Sequence, residues 1–185
     1  MSAEAADAGV RTVTEQGEAA RRRIVERVRS DPGVHFNALV RGLDMSPGQV
    51  QYHLGRLLGD RIVAEDCYGR TQYYPPSFDA WERRALALLR RETSADVAAV
   101  LLESGETPAT EVVERVGIAR STLSWHLDRL VDAGLVTERR DDRGRVVLDV
   151  GRPERTARLL RRARPSLPGR LVDRFTRLVD SLLGE

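Results

Sequence analysis

Two segments of this chain place hydrogen-bonding and aromatic side chains at helical spacing. Gln49, Tyr52 and Arg56 do so in the first, and Ser121, Thr122, Trp125 and Arg129 in the second. A helix advances about 100° per residue. Val50, Leu54, Leu57 and Leu58 then share one side, while Gly48, Gln49, Tyr52 and Arg56 take the other. Counted from Leu123, Leu127, Leu130 and Val131 face inward, and Ser121, Thr122, Trp125 and Arg129 face outward. The outward groups suit base edges in a major groove: glutamine pairs with adenine, arginine with guanine, and serine or threonine with bases or phosphates. Packing against the chain's own hairpin is the plainer use of an exposed tryptophan. His53 and His126 fall at the border of the inward face. An imidazole bonded to a nearby carbonyl is the plainer reading there, and a phosphate contact or pH-sensitive link the sharper one.

Little else in the chain could carry chemistry. There is no Gly-rich phosphate loop, no paired acid and base, and no nucleophile beside a base, so no enzyme is expected. His35, His53 and His126 are scattered and there is one cysteine, so neither a metal site nor a cofactor is implied. That single Cys67 also excludes a disulfide framework. It reads as a small strand residue, with a redox switch as the alternative. The apolar run Val97 to Leu102 is far too short to span a membrane. With no signal-like start, a cytoplasmic protein is expected. No small-molecule ligand is evident.

The elements that position these groups come from an internal repeat with a period of 73 residues. Gln51-Tyr52-His53-Leu54 aligns with Ser124-Trp125-His126-Leu127, Arg56-Leu57 with Arg129-Leu130, and Ile62-Val63 with Leu135-Val136. Each copy reads as three helices and a hairpin. In the first, Ala20, Ile24 and Val28 mark one side of a helix from Gly17 to Ser30, which Asp31-Pro32-Gly33 ends. A short helix follows near Asn37–Arg41. Ser46-Pro47-Gly48-Gln49 then opens a third helix that runs to about Leu58, with Ser as cap, Pro in the first turn and Gln three residues on. Strands at 62–67 and 70–74 close on Tyr68-Gly69. The second copy has helices at 94–103, 109–115 and 120–132, with Gly134 as terminator and a hairpin at 135–150.

The order helix, helix, turn, helix, hairpin is that of a winged helix-turn-helix. The phrases Asp31-Pro32-Gly33-Val34-His35-Phe36-Asn37-Ala38-Leu39 and Gly48-Gln49-Val50-Gln51-Tyr52-His53-Leu54 resemble the first domain of archaeal-type tandem winged helix-turn-helix transcriptional regulators. Ile118-Ala119-Arg120-Ser121-Thr122-Leu123-Ser124-Trp125-His126-Leu127 is similar to the recognition helix of ArsR/MarR-like winged helix domains. The resemblance covers about residues 15–150. It implies a sequence-specific, double-stranded DNA-binding regulator with recognition helices at 47–58 and 120–132. A winged-helix adaptor that binds protein in a transcription assembly is the alternative.

The expected fold is mainly α with small β-hairpin wings: two tandem winged helix-turn-helix domains plus a C-terminal helical element. The divisions are a disordered tail (1–14), winged helix domain 1 (15–76), a linker helix (77–92), winged helix domain 2 (93–151) and C-terminal helices (152–185). The linker carries Trp81, Ala85, Leu88 and Leu89 and has no counterpart in the repeat. The net charge is only +2, but all 30 basic residues are arginine. Eleven of these lie between Arg139 and Arg170, against four acids. A phosphate or guanine contact here must therefore use a guanidinium.

Candidate DNA contacts are Gln49, Tyr52, Arg56, Arg70, Arg120, Ser121, Thr122, Trp125, Arg129, Arg143 and Arg145. Arg70 lies in the first wing. The second wing is longer and more basic, with Arg139, Arg140, Arg143 and Arg145, although Asp141 and Asp142 could pair with them. The helix at 153–163 presents Arg155, Arg158, Arg161 and Arg162, which reads as a solvated face as readily as a phosphate contact. The last helix gathers Leu171, Phe175, Leu178, Val179 and Leu182 on one arc, a face suited to pairing with a second copy as a homodimer.

Overall fold

The computed structural model describes the backbone of residues 3–165 and the side chains of residues 15–165. The expected dimerisation residues Leu171, Phe175, Leu178, Val179 and Leu182 lie outside the described residues. The chain divides into two compact units, Met1–Asp79 and Ala80–Glu185. Among the described residues no helix is long and apolar enough to cross a membrane.

The first unit is built from α1 (Ala3–Ser30), β1 (Val34–His35), α2 (Phe36–Leu43), α3 (Pro47–Gly55), β2 (Val63–Cys67) and β3 (Arg70–Tyr74). Ile24, Val25 and Val28 of α1 pack on Leu39 and Leu43 of α2 and on Val50 and Leu54 of α3. The wing closes this core from one side with Ile62 and Tyr73. Its sheet has the order β1-β3-β2, antiparallel, with Val34 opposite Tyr73 and Val63 opposite Tyr74. Tyr68 and Gly69 both have positive φ, 53° and 83°. That pair of left-handed residues gives the turn a twist that matches the strands. Cys67, beside it, is buried at 4% exposure, as a small strand residue would be.

Two boundaries differ from expectation. Helix α1 begins at Ala3, where a disordered tail was expected over 1–14. The segment lacks an apolar stripe, but Ala, Glu and Gln are good helix formers, and extending a helix already anchored by its core end needs no new nucleus. Helix α3 stops at Gly55 rather than about Leu58. The chain tightens there, with the amides of Leu57 and Leu58 both bonded to the Leu54 carbonyl at 2.9 and 3.0 Å. The turn keeps Leu57 buried but leaves Leu58 41% exposed, against the inward place assigned to it.

The second unit repeats the plan with α5 (Glu92–Ser104), β4 (Thr107–Pro108), α6 (Ala109–Val116), α7 (Arg120–Asp132), β5 (Val136–Arg140) and β6 (Val146–Val150), flanked by α4 (Ala80–Leu89) and α8 (Pro153–Ala163). Its sheet order, β4-β6-β5, matches the first. Gly134, with φ of 64°, ends α7 as expected. Val131, in the last turn of α7, is exposed rather than inward.

Helix α4, which spans most of the segment expected as a linker, packs within the second unit. Ala85, Leu86, Ala87, Leu88 and Leu89 of α4 are all buried. They pack in the same unit as α5 and α8, and α8 buries Thr156, Ala157, Leu159 and Leu160. Trp81 sits with the guanidiniums of Arg152 and Arg155 at 4.8 and 4.7 Å from its ring. Helix α8 thus turns its apolar edge into the second unit. Its Glu82 partner on α4 pairs with both Arg155 and Arg158, at 3.3 and 3.5 Å.

Candidate nucleic-acid interface

The third helix of each unit presents the same constellation. A capping box starts α3: the Gln49 amide donates to Ser46 Oγ at 3.3 Å, and the Ser46 amide to Gln49 Oε1 at 3.0 Å. Gln49 therefore spends its side-chain oxygen on the helix end, and its bidentate use on adenine would require the box to open. Helix α7 has no such cap. Arg120, Ser121 and Thr122 stand exposed at its first turn, and their side chains make no hydrogen bond among the described residues.

Tyr52 is 57% and Trp125 49% exposed, large values for such rings. Each carries an arginine from one turn on. Arg56 lies 4.8 Å from the Tyr52 ring centre, and Arg129 lies 3.7 Å from that of Trp125. Arg129 Nη1 also donates to the Trp125 carbonyl at 3.0 Å. Beneath each aromatic sits the next residue's imidazole, edge on: His53 at 5.1 Å and His126 at 4.8 Å. The outward face is thus a stacked plate of guanidinium on ring, backed by a half-buried histidine, and it occurs twice. Gln51 and Ser124 are also exposed, at matching repeat positions. Neither was among the expected contacts, although the repeat aligns them.

The histidines differ in their partners. His126 Nδ1 shares a hydrogen bond of 3.0 Å with Ser94 Oγ, which is fully buried on α5. His53 Nδ1 is buried with no hydrogen-bond partner. Neither bonds a carbonyl through Nδ1. Burial, then the charges of Arg21 and Arg56, hold His53 below its usual range. Burial, then Arg91 and Arg129, do the same to His126. The folded chain therefore disfavours the protonated form of both imidazoles. A depressed folded pKa favours the folded state above the unfolded pKa of about 6.5, and that contribution is lost as pH falls through the folded values. Thermal midpoints should drop from about pH 6.5 downward, and His53→Gln with His126→Gln should flatten that slope. An identical slope in the double variant would remove the histidines as its cause.

The wings place the remaining arginines. Arg70 is exposed at the first turn and has no side-chain partner among the described residues. In the second wing Asp141 organises the turn: its Oδ1 accepts the amides of Arg143 and Arg145 at 2.9 and 2.8 Å, and its Oδ2 the Arg145 Nε at 2.7 Å. The Arg145 amide, then its guanidinium and the Arg143 amide, hold the Asp141 carboxyl below its usual range. Arg139 pairs with Glu106, and Arg140 donates to the Gly144 carbonyl at 2.8 Å. Arg143 is the exposed tip whose side chain stays unengaged. Arg145 is engaged as the alternative reading of the wing held, through Asp141 rather than Asp142.

Two units of this order, each with a three-stranded wing sheet and an exposed third helix, define a tandem winged helix-turn-helix protein. Sequence families agree on both units. A family described as an N-terminal HTH domain matches residues 18–86, and one described as a helix-turn-helix domain matches residues 88–139. No curated protein matches the chain by sequence. Among solved structures, HlyU from Vibrio cholerae is similar at 25% identity and a TM-score of 0.37, over 42% of this chain and 84% of that one. A MarR-family transcriptional regulator from Silicibacter pomeroyi is similar at 22% identity and a TM-score of 0.36, over 56% of this chain and 78% of its own. The PcaV transcriptional regulator from Streptomyces coelicolor, solved with its natural ligand, is similar at 19% identity and a TM-score of 0.31, over 77% of this chain and 94% of its own.

Proposed function

We propose that the chain is a transcriptional regulator that binds double-stranded DNA in a sequence-specific way. Helices α3 and α7 enter the major groove, and the wings contact the backbone or minor groove. The observation that carries this reading is the repeated plate, Tyr52 with Arg56 and Trp125 with Arg129, on the exposed face of the third helix of each unit. Rings and guanidiniums kept at the surface at this position are poorly explained by packing, since they bury little. Guanidinium groups read guanine edges, and the bare first turn of α7 offers hydroxyls and amides to phosphate. Arg70 and Arg143 at the two wing tips suit a phosphate or a narrow groove.

The two reading faces are not the same. One offers Gln49, Gln51, Tyr52 and Arg56, and the other Ser121, Thr122, Ser124, Trp125 and Arg129. One chain would then recognise two unlike half-sites. Pairing of two chains through the segment of Leu171, Phe175, Leu178, Val179 and Leu182, if it forms the expected amphipathic helix, would double that composite site. Selection from a random duplex pool at two salt concentrations tests this. An enriched motif made of two unlike elements is expected, and an inverted repeat of the whole would mark a dimer. Binding that weakens steeply with salt but enriches nothing would replace base reading with backbone binding alone. No binding at either salt would leave the protein-binding adaptor.

A further inference from the structure

The first unit has two cavities side by side. One, of about 580 Å³, lies between the start of α2 and the adjoining end of β3, and takes in Asn37, Arg41, Arg70 and Thr71. The other, of about 460 Å³, follows α3 and takes in Gln51, Leu54 and Leu58. Phe36 and Tyr73 line both, so the two form one concave surface with a polar half and an apolar half. No carboxylate lines the polar half, yet two guanidiniums do. Neither the Arg41 nor the Arg70 side chain has a hydrogen bond or ion pair among the described residues. The wing's Asp66 accepts the Thr71 hydroxyl instead of pairing with either. At the far edge stands Leu58, 41% exposed, left there by the early end of α3.

The second unit shows what this hollow looks like with its charges balanced. The corresponding cavity, of about 410 Å³, also has two arginines, Arg120 and Arg145. Asp128 and Glu138 line it too, and Arg145 is already paired with Asp141. The first unit lines one hollow with two guanidiniums and no carboxylate, the neighbouring Asp66 being taken up by the Thr71 hydroxyl. An oxyanion in the hollow could use the forked donors of both. An apolar wall beside a few aimed polar groups is the usual make-up of a small-ligand site.

We propose that this concavity binds a small amphipathic anion. A phosphate or carboxylate lies between Arg41 and Arg70, and a flat apolar body lies across Phe36 and Tyr73 toward Leu54 and Leu58. Arg70 is shared with the DNA reading, so the ligand is tested without DNA and the same variants are then titrated with a duplex. The probes are phenyl phosphate and inorganic phosphate, titrated into the full chain by calorimetry. Phenyl phosphate should bind saturably and about tenfold tighter than inorganic phosphate, the gain expected from covering one face of a ring. Arg41→Ala and Arg70→Ala should each abolish binding. Leu58→Ser should bring phenyl phosphate down to the level of inorganic phosphate. All three side chains are exposed, so unchanged circular dichroism is expected in each variant. The proposal is overturned if neither probe binds saturably, or if the arginine variants bind as the wild type does. It is also overturned if the variants lose affinity only for a duplex, since the guanidiniums would then serve a DNA backbone.

Discussion

Trp125→Ala should weaken binding to the selected DNA site nearly as much as Arg129→Ala, and the double variant should lose less than the two losses added. Each single change is expected to cost about 1–3 kcal/mol if the plate reads a base. The reason is geometric. The Arg129 guanidinium is held 3.7 Å over the indole and tied by Nη1 to the Trp125 carbonyl. A long side chain that is already ordered gives up less freedom on binding. Without the ring the guanidinium loses both its stacking surface and its fixed direction, so the tryptophan acts partly through the arginine. Two groups that work as one unit show a coupling energy of at least about 0.5 kcal/mol in a double-mutant cycle. Trp125→Phe, which keeps a ring face, should restore much of the loss. In the first unit Arg56 lies farther from its ring, at 4.8 Å, so the Tyr52/Arg56 coupling should be weaker. Strict additivity at Trp125 and Arg129 would show that the stack has no part in recognition. A loss uniform across sequences, with a salt slope smaller by about one, would assign Arg129 to a phosphate.

What the sequence made legible follows from how local each signal is. The capping box at Ser46 and Gln49 involves four consecutive residues, and it forms as read. The exposed ring and arginine on each third helix need only the helical period, and both copies carry them. The side-chain conformation was not readable. That Arg129 folds back on Trp125, or that Gln49 turns its oxygen to Ser46, depends on torsions that spacing does not fix. Leu58 and Val131 were assigned inward by a period that holds only inside a helix; one lies past the end of α3 and the other in the last turn of α7. The packing of α4 was the least legible. Its apolar face is only partial by period, and the unit's own repeat ends before it, so it read as a linker. Its partner is α8, more than sixty residues on, an Arg-rich segment whose buried edge of Ala157, Leu159 and Leu160 is hidden in the sequence by charged neighbours.

That packing has a measurable consequence. Leu88→Ala should destabilise the second unit by about 2–5 kcal/mol, the range for truncating a fully buried leucine. Leu88 is 0% exposed, and its neighbours Leu86 and Leu89 are at 1% and 0%. In a helix that merely joined two domains the same change would stay within about 0.5 kcal/mol. A loss of several kcal/mol is a large share of the roughly 5–15 kcal/mol by which a domain is stable. Both tryptophans, Trp81 and Trp125, lie in the second unit, so tryptophan fluorescence in a urea titration follows that unit alone. The expected result is a lower midpoint with an unchanged slope. Leu58→Ala, at an exposed side chain of the first unit, should leave this transition where it is. If Leu88→Ala did so as well, α4 would stand outside the second unit's fold. Helix α8 packs against α4 as well as α5, with Leu159 and Leu160 among its buried residues. A destabilised α4 should therefore release α8 in the same transition, and amide exchange at Leu159 and Leu160 should rise together with that at Leu88.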